Sequence, residues 1–188
     1  MAESAPAQTG STQAARIARG KADAEKIFPL LREKFGSEVI LEENLENVDP
    51  FVVIEPGRLL EVATFLKEEP ELGFDLLSLI STADFPTAGD GTGAGHLEVL
   101  YAFDSIEHRH RLLLKARLPR EDPRLASLEG LWKAADWHER EAFDLMGIHF
   151  EGHHNLVRIL CAEDWEGHPL RKDYRFPERY HGIKNIVY

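Results

Sequence analysis

Cysteine is nearly absent, with Cys161 the sole example in 188 residues. One thiol makes no internal disulfide and cannot supply the set of thiolates that an iron–sulfur cluster takes. No run of about 18 apolar residues occurs, so no segment reads as a membrane span. The first residues lack the apolar stretch of a secretory signal, which makes the cytoplasm the expected compartment. Basic charge is short as well. The chain has 22 Lys and Arg against 33 Asp and Glu, a formal net charge of −11. That argues against free nucleic-acid binding, because neutralising phosphates takes a basic surface. What remains, 43% apolar and 29% charged, is ordinary for a globular chain. Its length suits one domain with extensions, and a chain of this size buries enough surface to fold without staples.

The charge is unevenly placed. Residues 1–150 hold 27 acids and 16 bases, whereas residues 151–188 hold 6 of each. Six of the nine histidines lie between His138 and His181. The last segment is therefore chemically distinct from the body.

Residues 1–20 are Ala, Ser, Thr and Gln with almost no large apolar side chain, which reads as a disordered lead-in. From 21 to 35, Ala24, Ile27, Phe28, Leu31 and Phe35 recur at helical spacing, with Pro29 expected to kink or divide the helix. Strand patterns follow at 39–48 and 51–54, then a helix opening at Pro56 and running through Leu66. Further strands are read at 74–80, 96–103 and 109–118, the last two as a hairpin. A helix is predicted from Ser127, carried by Leu128, Leu131, Trp132 and Ala135, and stopping at Gly147. Locally paired strands with helices inserted between the pairs predict an α+β fold. The expected form is a two-layer domain, 21–146, with helices packed on a mixed, mostly antiparallel sheet. Residues 147–188 show neither helical nor strand period, yet they are rich in Trp, Tyr, Phe and Arg. This composition reads as an extended irregular arm that binds a partner, and the alternative reading is an arm folded back on the chain's own sheet.

The chemical motifs are thin. Gly89, Gly91, Gly93 and Gly95 feed a strand, not a helix N-terminus, so a phosphate cradle is not expected there. His149, His153, His154, Cys161 and His168 are types that zinc accepts, but their spacing is poor and no metal site is predicted. Ser105 and Ser127 lack a nucleophile elbow, and Asp164 with Glu166 is a carboxylate pair by spacing alone. Glu139, Arg140, Glu141 and Asp144 make a dense charge set on the last helix. They read either as a solvated face or as an ion-pair surface for a partner.

Two stretches carry a resemblance. The first runs Ala135-Asp136-Trp137-His138-Glu139-Arg140-Glu141-Ala142-Phe143-Asp144-Leu145-Met146-Gly147-Ile148. The second is Arg158-Ile159-Leu160 followed by Glu163-Asp164-Trp165-Glu166-Gly167-His168-Pro169-Leu170-Arg171-Lys172-Asp173-Tyr174. In order and separation they resemble the 30 kDa subunit family (the C subunit) of proton-translocating NADH-quinone oxidoreductase, respiratory complex I or NDH-1. The chain departs from the family pattern at His154-Asn155 and at Val157, and it ends at Tyr188 without a fused neighbour, which reads as a separate gene product.

The resemblance implies a scaffold subunit of the peripheral arm, packed on the subunits of the quinone module. The assembly would sit on the cytoplasmic side of the bacterial inner membrane. It implies that FMN and the Fe–S clusters belong to other subunits, with no catalytic residue, cofactor or metal on this chain. The partner interface it suggests comprises Glu139, Arg140, Glu141, Asp144, Trp165, His168, Pro169, Arg171, Lys172, Asp173 and Tyr174. The nearest alternative is the matching subunit of a membrane-bound hydrogenase or of a quinone oxidoreductase with another donor. A freestanding metal-dependent hydrolase is the reading from a different class.

Overall fold

A computed structural model describes residues 9–87 and 94–184. Helix α1 (Thr9–Phe35) leads into strands β1 (Ile40–Asn44) and β2 (Phe51–Ile54). A short 3-10 turn (Pro56–Arg58) opens α2 (Leu59–Glu68), followed by β3 (Leu76–Thr87), β4 (Ala94–Asp104) and β5 (Arg111–Pro119). Then come β6 (Arg124–Ala126), α3 (Ala135–Met146), β7 (His149–Glu151) and the small hairpin β8 (Arg179–Tyr180) and β9 (Ile183–Lys184).

The main sheet has the order β1-β2-β5-β4-β3. Only the β2–β5 pair is parallel, so the sheet is mixed and mostly antiparallel, as the strand pattern predicts. Leu97, Val99, Tyr101 and Phe103 alternate along β4 onto one face, in register with Leu118, Ala116, Leu114 and Leu112 of β5. That face is covered by Ala24, Ile27, Phe28 and Leu31 of α1, by Leu59, Val62, Ala63 and Leu66 of α2, and by Ala135, Ala142 and Met146 of α3. The result is two layers around one core. The opposite face carries a charge ladder in which Glu98 pairs with Lys115 at 2.7 Å and Arg117 bridges Glu98 and Glu42.

Three expectations change and the one for Pro29 narrows. Of the lead-in expected over residues 1–20, residues 1–8 lie outside the described residues, and residues 9–20 are helical, continuous with α1. Ala14, Ala15, Arg16, Ala18 and Arg19 are good helix formers, and Arg16 pairs with Asp49. Pro29 lies within α1 without ending it. The residue is exposed, so the carbonyl its ring deprives of a partner can be hydrated. Residues 127–134 form turns, and α3 begins only at Ala135. Leu128 and Trp132 are buried there through turns that merely mimic helical spacing. Finally, the domain does not close at residue 146. Ile148 and Phe150 are buried in the core, and β7 pairs with β6 in parallel.

Of the glycine run, Gly89, Gly91 and Gly93 lie outside the described residues. Gly95 is in β4, where a Cβ would collide with the Pro86 backbone. Its glycine character answers to close strand approach, not to a ligand.

Candidate functional site

The last turn of α3 leaves four carbonyls without intrahelical donors, and each is met. Gly147, at φ 73°, donates its N–H to Phe143 at 2.9 Å. The Asp144 carbonyl accepts from Arg158 at 3.2 Å and binds the His168 ring at 3.0 Å. The Leu145 carbonyl accepts the Leu170 N–H at 3.0 Å. The Met146 carbonyl accepts from Arg171 at 2.7 Å. One helical donor is thus supplied by the cap glycine and the rest by the arm. Arg158 and Arg171 also place positive charge at the negative end of the helix dipole.

Asp144 is the second anchor. Its carboxylate is fully buried, taking Arg158 at 2.6 Å and the backbone N–H groups of Ile159, Leu160 and Cys161 at 3.1, 2.8 and 2.8 Å. Burial alone would raise its pKa, but those four donors together hold it at about 2. A third anchor lies at the end of β3. Asp84 grips Arg120 through two bonds of 2.8 and 2.9 Å and accepts the Lys172 N–H at 2.8 Å. Arg120 also pairs with Asp173 at 3.0 Å.

Glu139 is fully buried and does different work. Its carboxylate accepts from the Ser127 hydroxyl at 2.6 Å and from the Leu128 N–H at 2.7 Å, which holds the turn ahead of α3. Burial pushes its pKa up to about 7 against those two bonds, and Glu129 and Asp136 add to the rise. Arg140 reaches the carbonyls of Val157 and Arg158, both at 3.2 Å.

The predicted interface residues therefore divide. Glu139, Arg140, Asp144, His168 and Arg171 are turned onto the chain's own backbone. Pro169 is half-buried beside them, and the Trp165 and Tyr174 rings belong to an aromatic cluster with Phe176 and Tyr180. The Trp165 indole N–H and Tyr174 hydroxyl are buried with no hydrogen-bond partner among the described residues. Glu141, Lys172 and Asp173 are exposed. The arm is irregular as expected but not extended. It folds back onto α3 and β3 because the helix end, Asp144 and Asp84 offer acceptors that its arginines and backbone satisfy. This is the folded-back alternative, and period alone does not choose it, since capping bonds have no period.

The candidate nucleophiles are also occupied. Ser105 accepts the His108 N–H at 3.2 Å, and Asp164 holds Tyr180 and His181 at 2.8 and 2.6 Å. Burial, with the Asp144 charge, pushes the Cys161 thiol above its ordinary value, the wrong direction for a thiolate nucleophile. Among the zinc-type residues, His153 and His154 do meet a carboxylate, that of Glu129. His149, Cys161 and His168 are not part of that group.

Residues 52–180 match the family described as "Respiratory-chain NADH dehydrogenase, 30 Kd subunit". The chain is 42% identical over 161 residues to the C subunit of NADH-quinone oxidoreductase from Chloroherpeton thalassium, covering 85% of this chain and 64% of that protein's length. It is 39% identical to the equivalent protein of Chlorobium phaeobacteroides, covering 84% of this chain and 92% of that one. Among solved structures it is similar to the trypsin-resistant fragment (1–134) of Nqo5, with 31% identity and a TM-score of 0.58. That match covers 71% of this chain and 99% of the fragment. It shares a fold, at 22% identity and a TM-score of 0.64, with a chain of an archaeal membrane-bound sulfane sulfur reductase, covering 80% of this chain and 85% of that one.

Proposed function

The chain belongs to the family of the 30 kDa subunit of respiratory-chain NADH dehydrogenase, and from that premise we propose that it is a non-catalytic scaffold in the peripheral arm of an NADH-quinone oxidoreductase. The enzyme it serves passes electrons from NADH through FMN and Fe–S clusters to quinone. Those groups sit on other subunits, and this chain packs on the ones that form the quinone module. No helix among the described residues is long and apolar enough to cross a membrane, which fits attachment through partner subunits. The cytoplasmic face of the inner membrane is the side that follows from the family resemblance.

The observation that carries the scaffold reading is how the buried carboxylates are used. Asp84, Glu139 and Asp144 are each committed to arginine, hydroxyl or backbone donors of this chain. Such groups fix geometry; general acid–base work needs a group that faces a substrate. Meanwhile α3 and the arm leave large apolar side chains in solvent, among them Trp137, Leu160, Leu170, Phe176 and Ile183. Aromatic and aliphatic anchors on a rigid, internally satisfied frame suit a subunit interface.

Deleting the chain's gene and restoring it tests this. Membranes lacking the chain are expected to lose assembled complex, with NADH–quinone activity recovered on restoration. Normal amounts of active complex without the chain, or NADH oxidation by the purified chain itself, would overturn the scaffold assignment.

A further inference from the structure

We propose that Glu129, His153 and His154 form a binding site for one divalent ion of the zinc class, clamping the turn ahead of α3 to the root of the arm. The site stands apart from the assembly role and depends on none of it.

One ligand atom from each residue lies within 4.8 Å of the others. The Glu129 Oε2 atom is 2.7 Å from His154 Nδ1 and 3.8 Å from His153 Nδ1. Ligands about 2.0–2.1 Å from a tetrahedral zinc stand roughly 3.3 Å apart, between the two observed separations, so binding takes a rotation of Glu129 and His154 and release of His153 Nδ1 from the Asn155 N–H. Both imidazoles present their Nδ1 edge to the carboxylate, and the rings are nearly parallel, 11° between planes with centroids 5.4 Å apart.

The ring of His153 is the best-prepared ligand. Its side chain is fully buried, and Nε2 faces the Asp136 carbonyl at 3.1 Å and the Asp136 carboxylate at 3.4 Å. The proton is therefore on Nε2, and Nδ1 holds the lone pair, as its bond from the Asn155 N–H at 3.0 Å requires. A histidine that donates its other N–H to a carbonyl or carboxylate is the usual orientation of a metal ligand. The Asp136 Oδ1 atom is buried with no hydrogen bond among the described residues, so it is available to strengthen that support.

Competing groups set the terms. An ion displaces the Nδ1–H bond of His154 to Glu129 Oε2 and the Asn155 N–H bond to His153, and it shares Oε2 with the His154 backbone N–H at 3.2 Å. Lys133, 3.5 Å from the other Glu129 oxygen, opposes an added cation but is largely exposed and can swing away. Two imidazoles and one carboxylate suit zinc and its neighbours in the first transition row, with water or a partner group completing the shell. Calcium and magnesium, which need oxygen ligands, do not fit.

The test is calorimetric titration of the full chain with Zn²⁺ after chelator treatment, with Co²⁺ as a coloured substitute. One equivalent of Zn²⁺ is expected, accompanied by a higher melting temperature. His154→Ala, at a mostly exposed side chain, loses the Glu129 hydrogen bond, so it is expected to melt somewhat below the parent in chelator, to show no further rise with Zn²⁺, and to lose more affinity than the roughly 10–100-fold that a supporting residue costs. Asp136→Asn is expected to weaken binding about tenfold, the usual effect of a supporting residue. Glu129→Gln gives a second ligand loss that does not alter side-chain size. Absence of saturable Zn²⁺ binding overturns the proposal. So does binding that persists unchanged in both His154→Ala and Glu129→Gln, or binding that vanishes with Cys161→Ser.

Discussion

Asp144 and Arg158 form an ion pair of 2.6 Å in which the carboxylate has no exposed surface, and the three residues after Arg158 donate their backbone N–H groups to the same carboxylate. One side chain on α3 thus fixes four consecutive residues of the arm. Asp144→Ala strands the Arg158 charge and three backbone donors, and breaking a buried pair of this kind costs roughly 3–5 kcal/mol. The expected result is a lower melting temperature together with rapid proteolytic cleavage between residues 157 and 172. Unchanged proteolysis would show that the helix cap alone holds the arm.

The same carboxylate sets an acid limit. Its folded pKa of about 2 lies below the ordinary 3.8, so its contribution is full above about pH 4 and fades as pH falls toward 2. In Asp144→Asn that portion of the acid-induced loss is expected to disappear from denaturant titrations run at about pH 2–5.

Glu139 has the opposite sign. Its folded pKa is raised to about 7 from 4.5, so between those values the folded state binds a proton that the unfolded chain has released. Stability then falls as pH rises from about 4.5 to 7 and levels off above, with a span on the order of 3 kcal/mol. Glu139→Gln is expected to flatten that slope and to be the more stable protein at about pH 8. Equal stability of the two proteins at that pH, with parallel slopes, contradicts the assignment.

How far the sequence reaches can be read from particular elements. The alternation Leu112, Leu114, Ala116, Leu118 marks β5 because burial on one sheet face has period two. The helix expected from Ser127 starts too early because turns at Leu128 and Trp132 happen to reproduce helical spacing. The arm is the larger lesson. Its aromatic and basic residues are visible in the sequence, and the absence of period is real. Yet Arg171 and His168 answer to carbonyls of α3, and an acceptor's identity lies in three-dimensional direction, not in spacing. Glu129 with His153 and His154 escapes for the same reason, since the carboxylate comes from a turn 25 residues before His154.

Gly147 tests the cap directly. Its φ of 73° favours glycine, and a Cβ there would lie 2.5 Å from the His168 ring. Gly147→Ala combines left-handed strain of about 1–2 kcal/mol with displacement of His168 from the helix end. A fall in melting temperature and an NMR shift of the His168 ring resonances are expected together. Strain without movement of His168 would place the ring's support elsewhere.

Two basic neighbours that the sequence groups together are separated by their contacts. Arg171 bonds the Met146 carbonyl at 2.7 Å and the Arg120 carbonyl at 3.0 Å, so Arg171→Ala is expected to lower the melting temperature of the free chain. The Lys172 side chain is exposed, and Lys172→Ala is expected to leave melting unchanged. Trp137 is the sharper probe. It sits on α3 with 68% of its surface in water, so the free chain gains little from it. A large aromatic on a rigid helix is the kind of anchor whose removal from an interface costs about 2 kcal/mol or more. Trp137→Ala is therefore expected to melt like the parent while reducing the amount of assembled complex in membranes. On the proposed scaffold role, quinone reductase activity per assembled complex is expected to stay normal. Comparison of native-gel quantity with specific activity distinguishes the possibilities. Full assembly with lost turnover would move Trp137 from anchoring to shaping the electron-transfer site.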